Sequence, residues 1–133
     1  MASQKPGCVP TKLIEGSAES IPIEEDSVDT VVTTWTLCTI PDVAAALAEM
    51  RRILKPTGQL LLVEHGLAPD EKVRRWQHRL TPVWKRIAGG CHLDRPIAEL
   101  VRNAGFRMER LDTRYMHGPK PMTFMYEGIA SPL

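Results

Sequence analysis

Residues 28–63 read VDTVVTTWTLCTIPDVAAALAEMRRILKPTGQLLLV, and this stretch decides the fold. Val28 to Thr33 is β-branched apart from Asp29, a composition that suits a strand covered on both faces. Pro41 and Asp42 start a helix over 42–55, with Asp42 as its cap and Val43, Ala46, Leu47, Met50 and Leu54 repeating along one face. Arg51, Arg52 and Lys55 fall in its last turn, where cations complement the helix dipole, and Pro56 and Gly58 stop it. Leu60 to Val63 is an unbroken apolar run directly afterwards. Strand 28–33, helix 42–55 and strand 60–63 therefore form a βαβ unit with a right-handed crossover.

Upstream, Met1 to Pro10 mixes Pro, Gly, Ser and Gln without a period, so residues 1–11 read as a flexible arm. A short strand is expected at Lys12 to Glu15, followed by a loop punctuated by Gly16, Ser17 and Pro22. Downstream, Val73, Trp76, Leu80, Trp84 and Ile87 are spaced for one face of a second helix, which Pro82 is expected to kink or split. Asp94 caps a third, whose face is Ile97, Leu100, Val101 and Ala104. The tail reads as an antiparallel hairpin, with strands near Phe106 to Tyr115 and Met122 to Ala130.

At 133 residues, 43% of them apolar, the chain is the size of one domain with a real core. Three scattered cysteines, Cys8, Cys38 and Cys91, lack C-x-x-C spacing and read as reduced thiols, not a disulfide framework or a structural zinc site. With no membrane span and no secretory leader expected, the chain reads as cytoplasmic. Residues 1–70 carry 5 Lys/Arg against 10 Asp/Glu, and residues 71–133 carry 12 against 6. The net charge of +1 excludes a whole-protein case for nucleic acid but leaves a local basic surface.

Three motifs carry a resemblance. Glu15-Gly16-Ser17-Ala18-Glu19-Ser20-Ile21-Pro22-Ile23 is similar to a G-D-A-E-x-L-P-F loop, Asp26-Ser27-Val28-Asp29-Thr30-Val31-Val32 to a D-x-S-F-D-x-V strand, and Arg52-Ile53-Leu54-Lys55-Pro56-Thr57-Gly58 to an R-V-L-K-P-G-G turn. All three belong, in this order, to the ubiquinone and menaquinone biosynthesis superfamily of class I S-adenosylmethionine (SAM) methyltransferases. Thr36 to Ile40, Glu64-His65-Gly66 and Gly90 to Arg95 resemble its thiol methyltransferase subgroup. The resemblance implies an α/β fold: a truncated Rossmann-like sheet, parallel strands plus the C-terminal hairpin, helices on both faces. Residues 12–133 would be a partial domain resembling the carboxy-terminal half of such enzymes, since the glycine-rich turn that holds the cofactor is absent and no G-x-G pair occurs.

The resemblance places cofactor contacts at Ser17, Ala18 and Glu19, where Ser17 stands for the acid that binds adenine, and at Thr34, Trp35 and Leu37 past the first strand. Beside it stands the plainer reading, a punctuated turn and a packed strand end. Glu64 and His65 end the second strand on the same edge, as a general base or as satisfied loop residues. No catalytic residue is assigned. Cys91 and His92 are adjacent and poorly spaced for one ion, so even with Cys38 added they read as free thiols and a loop histidine, and no metal is expected.

SAM is the implied cofactor, with a small apolar thiol, lipid or quinone as acceptor and an isolated chain that is catalytically silent. The bare edge of strand 28–33 implies a homo-oligomer. Two further readings remain: a non-catalytic interaction module, or a binder of anionic surfaces through the basic helix 72–86.

Overall fold

In the computed structural model, which describes residues 9–133, the chain forms four strands and four helices. β1 (Val28–Thr34), α1 (Val43–Ile53) and β2 (Leu54–His65) form the expected parallel unit. α2 (Glu71–Ile87) and α3 (Ile97–Asn103) follow, then β3 (Phe106–Tyr115), the single turn α4 (Lys120–Thr123) and β4 (Phe124–Pro132). The sheet order is β1-β2-β4-β3, with β4 antiparallel to both neighbours.

The Asp42 carboxylate caps α1 by accepting the Ala45 N–H at 3.0 Å, and Ala46, Leu47, Met50 and Ile53 form its buried stripe. β2 begins at once, at Leu54, six residues before the apolar run that starts at Leu60. Val28 pairs with Leu54 and Thr30 with Gln59, so Lys55-Pro56-Thr57-Gly58 arches out of register instead of leaving the sheet. A Cβ on Gly58 would lie 2.9 Å from the Asp29 carbonyl oxygen, so the arch needs glycine there.

One core holds the unit together. α1 contributes Leu47, α3 Ile97 and Val101, β2 Leu60 and Leu62, the hairpin Phe106 and Ala130, all essentially inaccessible. The opposite face of the sheet presents Val32, Leu61, Val63 and Ile129 along an open groove bordered by Arg110, Asp112 and Glu127. Helices were expected over both faces. Among the described residues α1 and α3 cover the first, while the second is buried only near its carboxyl end, at His65 and Met125.

Several local expectations are corrected. Residues 12–15 form no strand and are exposed, because nothing described lies beside them to pair with. Of the expected arm 1–11, residues 1–8 lie outside the described residues. β1 is an edge strand with only Thr33 buried, not a strand covered on both faces, because no described element packs on its second face.

α2 is not split at Pro82, although the proline nitrogen has no hydrogen to donate to the helix. Its buried line is Val73, Gln77 and Thr81, while Trp76 and Ile87 face solvent. Gln77 outcompetes the tryptophan because its amide is fully used: it donates to the carbonyls of Gly66 and Pro121 and accepts the Ala68 N–H. Asp94 does not cap α3. Its carboxylate meets His78 Nδ1 at 2.7 Å, and Pro96 starts the helix. No helix among the described residues is long and apolar enough to cross a membrane.

Candidate functional site

The carboxyl ends of the parallel strands meet at Glu64. β1 ends where Trp35 adopts a left-handed backbone, φ 54°, with its N–H donated to the Val63 carbonyl at 3.0 Å. The chain then turns back over β2, and its next two N–H groups, of Thr36 and Leu37, are donated to Glu64 Oε2 at 2.9 and 3.2 Å. Glu64 is wholly buried, and burial pushes its carboxyl up to about 6 against the opposing pull of those hydrogen bonds. So the carboxylate builds the turn. With both its oxygens committed to Thr36 and Leu37, it is a positioning group rather than an open base.

The second candidate segment lies beside this turn. Ser17 and Ser20 close a tight bridge, within which Ser17 Oγ accepts the Glu19 N–H at 3.2 Å. Glu19 Oε1 accepts the Asp42 N–H at 2.9 Å, so it ties residues 17–20 to the N-terminus of α1, at the carboxyl end of β1. A further clamp follows: Glu49 accepts the Ile21 N–H, Arg52 donates to the Ile21 carbonyl, and the two side chains pair at 2.8 Å. Ser17, Ala18 and Glu19 therefore share an end of the sheet with Thr34, Trp35 and Leu37. Of these, Leu37 is fully buried and Trp35 is half exposed, so Trp35 offers a surface where Leu37 offers only packing.

Behind the Trp35 ring, whose centroid lies 5.3 Å from that of His65, a thiol cluster is buried. Cys91 Sγ lies 3.1 Å from His65 Nε2, and Cys38 Sγ completes a group whose three atoms all lie within 4.8 Å of one another. A hydrogen bond from Cys91 holds the Cys38 thiol well below its ordinary range despite burial, and the same contact, with burial, pushes Cys91 up. In the sequence His92 stands next to Cys91, poorly spaced to share one ion with it. The structure instead turns His92 outward from the cluster, its N–H and Nδ1 both on the Cys38 carbonyl at 2.7 and 3.1 Å.

Arg95 fixes the loop above: its guanidinium donates to the carbonyls of Leu37 and Ile40, each at 2.6 Å. Neither Arg95 nor the Glu49–Arg52 clamp was found in the sequence, where both look like ordinary helix-flanking charges. The basic stretch 72–86 is divided: Trp76 lies outward among Lys72, Arg75 and Arg79, while Trp84 is half-buried.

Comparison with known proteins identifies the family and the fold. A family model described as a methyltransferase domain matches residues 1–62. The thiol S-methyltransferase TMT1B of Rattus norvegicus is 36% identical over 91 residues, covering 68% of this chain and 37% of the relative. The ubiquinone/menaquinone biosynthesis C-methyltransferase UbiE of Marinomonas sp. (strain MWYL1) is 32% identical over 96 residues, covering 68% and 38%. A SAM-dependent methyltransferase structure from Methanosarcina mazei superposes with a TM-score of 0.68 at 21% identity, over 89% of this chain and 65% of that one. The chain belongs to this methyltransferase-domain family and has the Rossmann-like fold of the superposed structure. It spans less than two fifths of the length of these two curated relatives.

Proposed function

We propose that these residues form one wall of a SAM-dependent methyltransferase site whose acceptor is a small apolar thiol, and that the 133-residue chain alone is catalytically silent. One observation carries the reading: Glu19, bonded to the N-terminus of α1, places the 17–19 turn on the same sheet end as Trp35. That is the edge where open α/β sheets receive ligands.

The residues present fit SAM in part. Ala18 and Ser17 line a shallow depression with Ile14, Gly16, Ile21 and Pro22, an apolar bed suited to one side of an adenine ring. Trp35 adds an exposed aromatic face nearby on the same end. No group among them matches the backbone N–H cradle that a glycine-rich turn offers the carboxylate end of the cofactor. Polypeptide outside these 133 residues would supply that cradle, and the open groove over Val32, Leu61 and Val63 is a surface for it to cover.

When bound, the sulfonium supplies an already activated methyl group, so the chain's task is to position the acceptor and exclude water. Glu64 keeps the Trp35 turn rigid for that purpose. The thiol acceptor rests on the likeness to TMT1B. Calorimetric titration of the chain with SAM tests the reading: no binding at micromolar concentrations is expected, and tight binding by the chain alone would overturn the silent-chain proposal.

A second reading has its own support. The outer edge of β1 pairs with no strand among the described residues, and Val32 beside it is 64% exposed. We propose that in the isolated chain two copies meet along this edge.

A further inference from the structure

The thiol cluster has no part in the methyl transfer outlined above, yet it is built from three distant segments. Cys38 comes from the turn after β1, His65 is the last residue of β2, and Cys91 lies in the loop after α2. They are 2%, 6% and 6% exposed. We propose that Cys38, His65 and Cys91 hold a zinc ion through two thiolates and one imidazole, with the fourth position left to a water or an exogenous sulfur ligand.

Geometry comes first. Zinc–sulfur and zinc–nitrogen bonds of about 2.3 and 2.0 Å in a tetrahedral arrangement put donor atoms on the order of 3.5 Å apart. The three donors already lie within 4.8 Å of one another, with Cys91 Sγ and His65 Nε2 at 3.1 Å, so small side-chain rotations close the set.

Donor chemistry narrows the ion. Two sulfurs and an imidazole, with no oxygen ligand, favour zinc over magnesium or calcium. Glu64, one residue from His65, points to the other face of β2, where its oxygens serve Thr36 and Leu37. Charge also balances. Each thiol releases one proton to solvent as its sulfur bonds the metal, and two thiolates neutralise a divalent ion that would otherwise sit uncompensated in the interior.

The frame is set in advance of the ion. Arg95 pins the Cys38 loop through the carbonyls of Leu37 and Ile40, and the His92 N–H ties the Cys91 loop to the Cys38 carbonyl. His65 is held against the Trp35 ring. The closest rival use of the same atoms is a Cys38–Cys91 disulfide, which would consume two of the three donors.

The test uses the full chain carrying Cys8→Ser, so that no third thiol contributes, kept reduced and stripped with chelator. Addition of cobalt(II) is expected to give an intense thiolate-to-metal charge-transfer band at one ion per chain, displaced by zinc. Cys38→Ser, Cys91→Ser and His65→Gln should each weaken zinc by at least about 100-fold, more than loss of an outer-shell partner. His92→Gln should leave it unchanged.

A reduced, folded chain without the band would overturn the proposal. So would a band that survives in the Cys38→Ser/Cys91→Ser double variant, or a Cys38–Cys91 disulfide in oxidised protein together with no metal uptake after reduction. Should the variants fail to fold, the cobalt spectrum of the Cys8→Ser chain decides alone. SAM binding is not involved in any arm, so failure here is separable from failure of the proposed function.

Discussion

Glu64 at the end of β2 accepts the backbone N–H of Thr36 at 2.9 Å, so a buried carboxylate on one parallel strand shapes the turn that terminates the other. Removing it in Glu64→Ala leaves the N–H groups of Thr36 and Leu37 without an acceptor, at an expected loss of roughly 1–3 kcal/mol. Glu64→Gln keeps a carbonyl oxygen in the same place and relieves a buried charge, so its change should stay within about 1 kcal/mol. Urea unfolding of both variants checks the ordering. An alanine variant as stable as the parent would show that the turn forms without its acceptor.

Gly66 follows in the same segment for a steric reason. A Cβ there would lie 2.5 Å from the Arg95 carbonyl oxygen and 2.8 Å from Ile97 Cγ1, and a backbone obstacle cannot swing aside. Gly66→Ala should therefore cost roughly 1–3 kcal/mol through forced backbone shifts. Gly89→Ala is the contrast. No atom lies within 4 Å of its Cβ position, so only the left-handed backbone penalty of about 1 kcal/mol remains. Thermal melts of the pair should separate crowding from backbone strain.

The clamp that seats the 17–23 loop on α1 should show itself in acid. The hydrogen bond from Arg52, then that from the Ile21 N–H, hold the Glu49 carboxyl at about 2, below its ordinary 4.5. A carboxyl depressed on folding stabilises the fold above its unfolded value, and that contribution drains away as pH falls through the folded one. NMR titration of the Glu49 side-chain carboxyl should find a midpoint near 2, moving toward 4.5 in Arg52→Gln. The stability gap between parent and Glu49→Gln should be full at neutral pH and narrow as pH drops below 4.5. A midpoint already near 4.5 in the parent would mean that the clamp does not hold in solution.

The parallel unit was legible because three independent signals agree over residues 28–63: β-branching in β1, a capped periodic helix in α1 and an apolar run in β2. Positions of Ser17 to Glu19 and of Trp35 at one sheet end were implied by resemblance, and the Glu19–Asp42 bond gives that implication a physical basis. What stayed hidden was polar and long-range. Gln77 fills a core position because three backbone groups from separate loops converge on its amide, and no pattern along one helix reveals that. His65 meets Cys91 across 26 residues, whereas proximity in sequence drew attention to His92. The β1 edge was foreseen, but its bareness on the second face was not, since covering elements cannot be counted from the strand itself.

That second face gives the last prediction. Val32 is 64% exposed beside the edge of β1 that pairs with no strand among the described residues, and with Leu61, Val63 and Ile129 it makes an apolar strip between that edge and the Arg114–Glu127 ion pair of 3.0 Å. A lysine at position 32 would set a strongly hydrated charge on the strip at a place where the fold itself needs nothing, so Val32→Lys should alter chain stability by no more than about 0.5 kcal/mol. Association is another matter. If two copies meet along β1, each copy must bury that ammonium against its partner, and the dimer dissociation constant should rise at least about tenfold, equivalent to 1.4 kcal/mol. Sedimentation equilibrium reads both states: a parent chain heavier than one copy and a variant shifted to a single copy are expected. A parent that stays a single copy at high concentration would remove the edge-pairing proposal, because the exposed Val32 would then remain open to solvent at a concentration where edge pairing should have covered it.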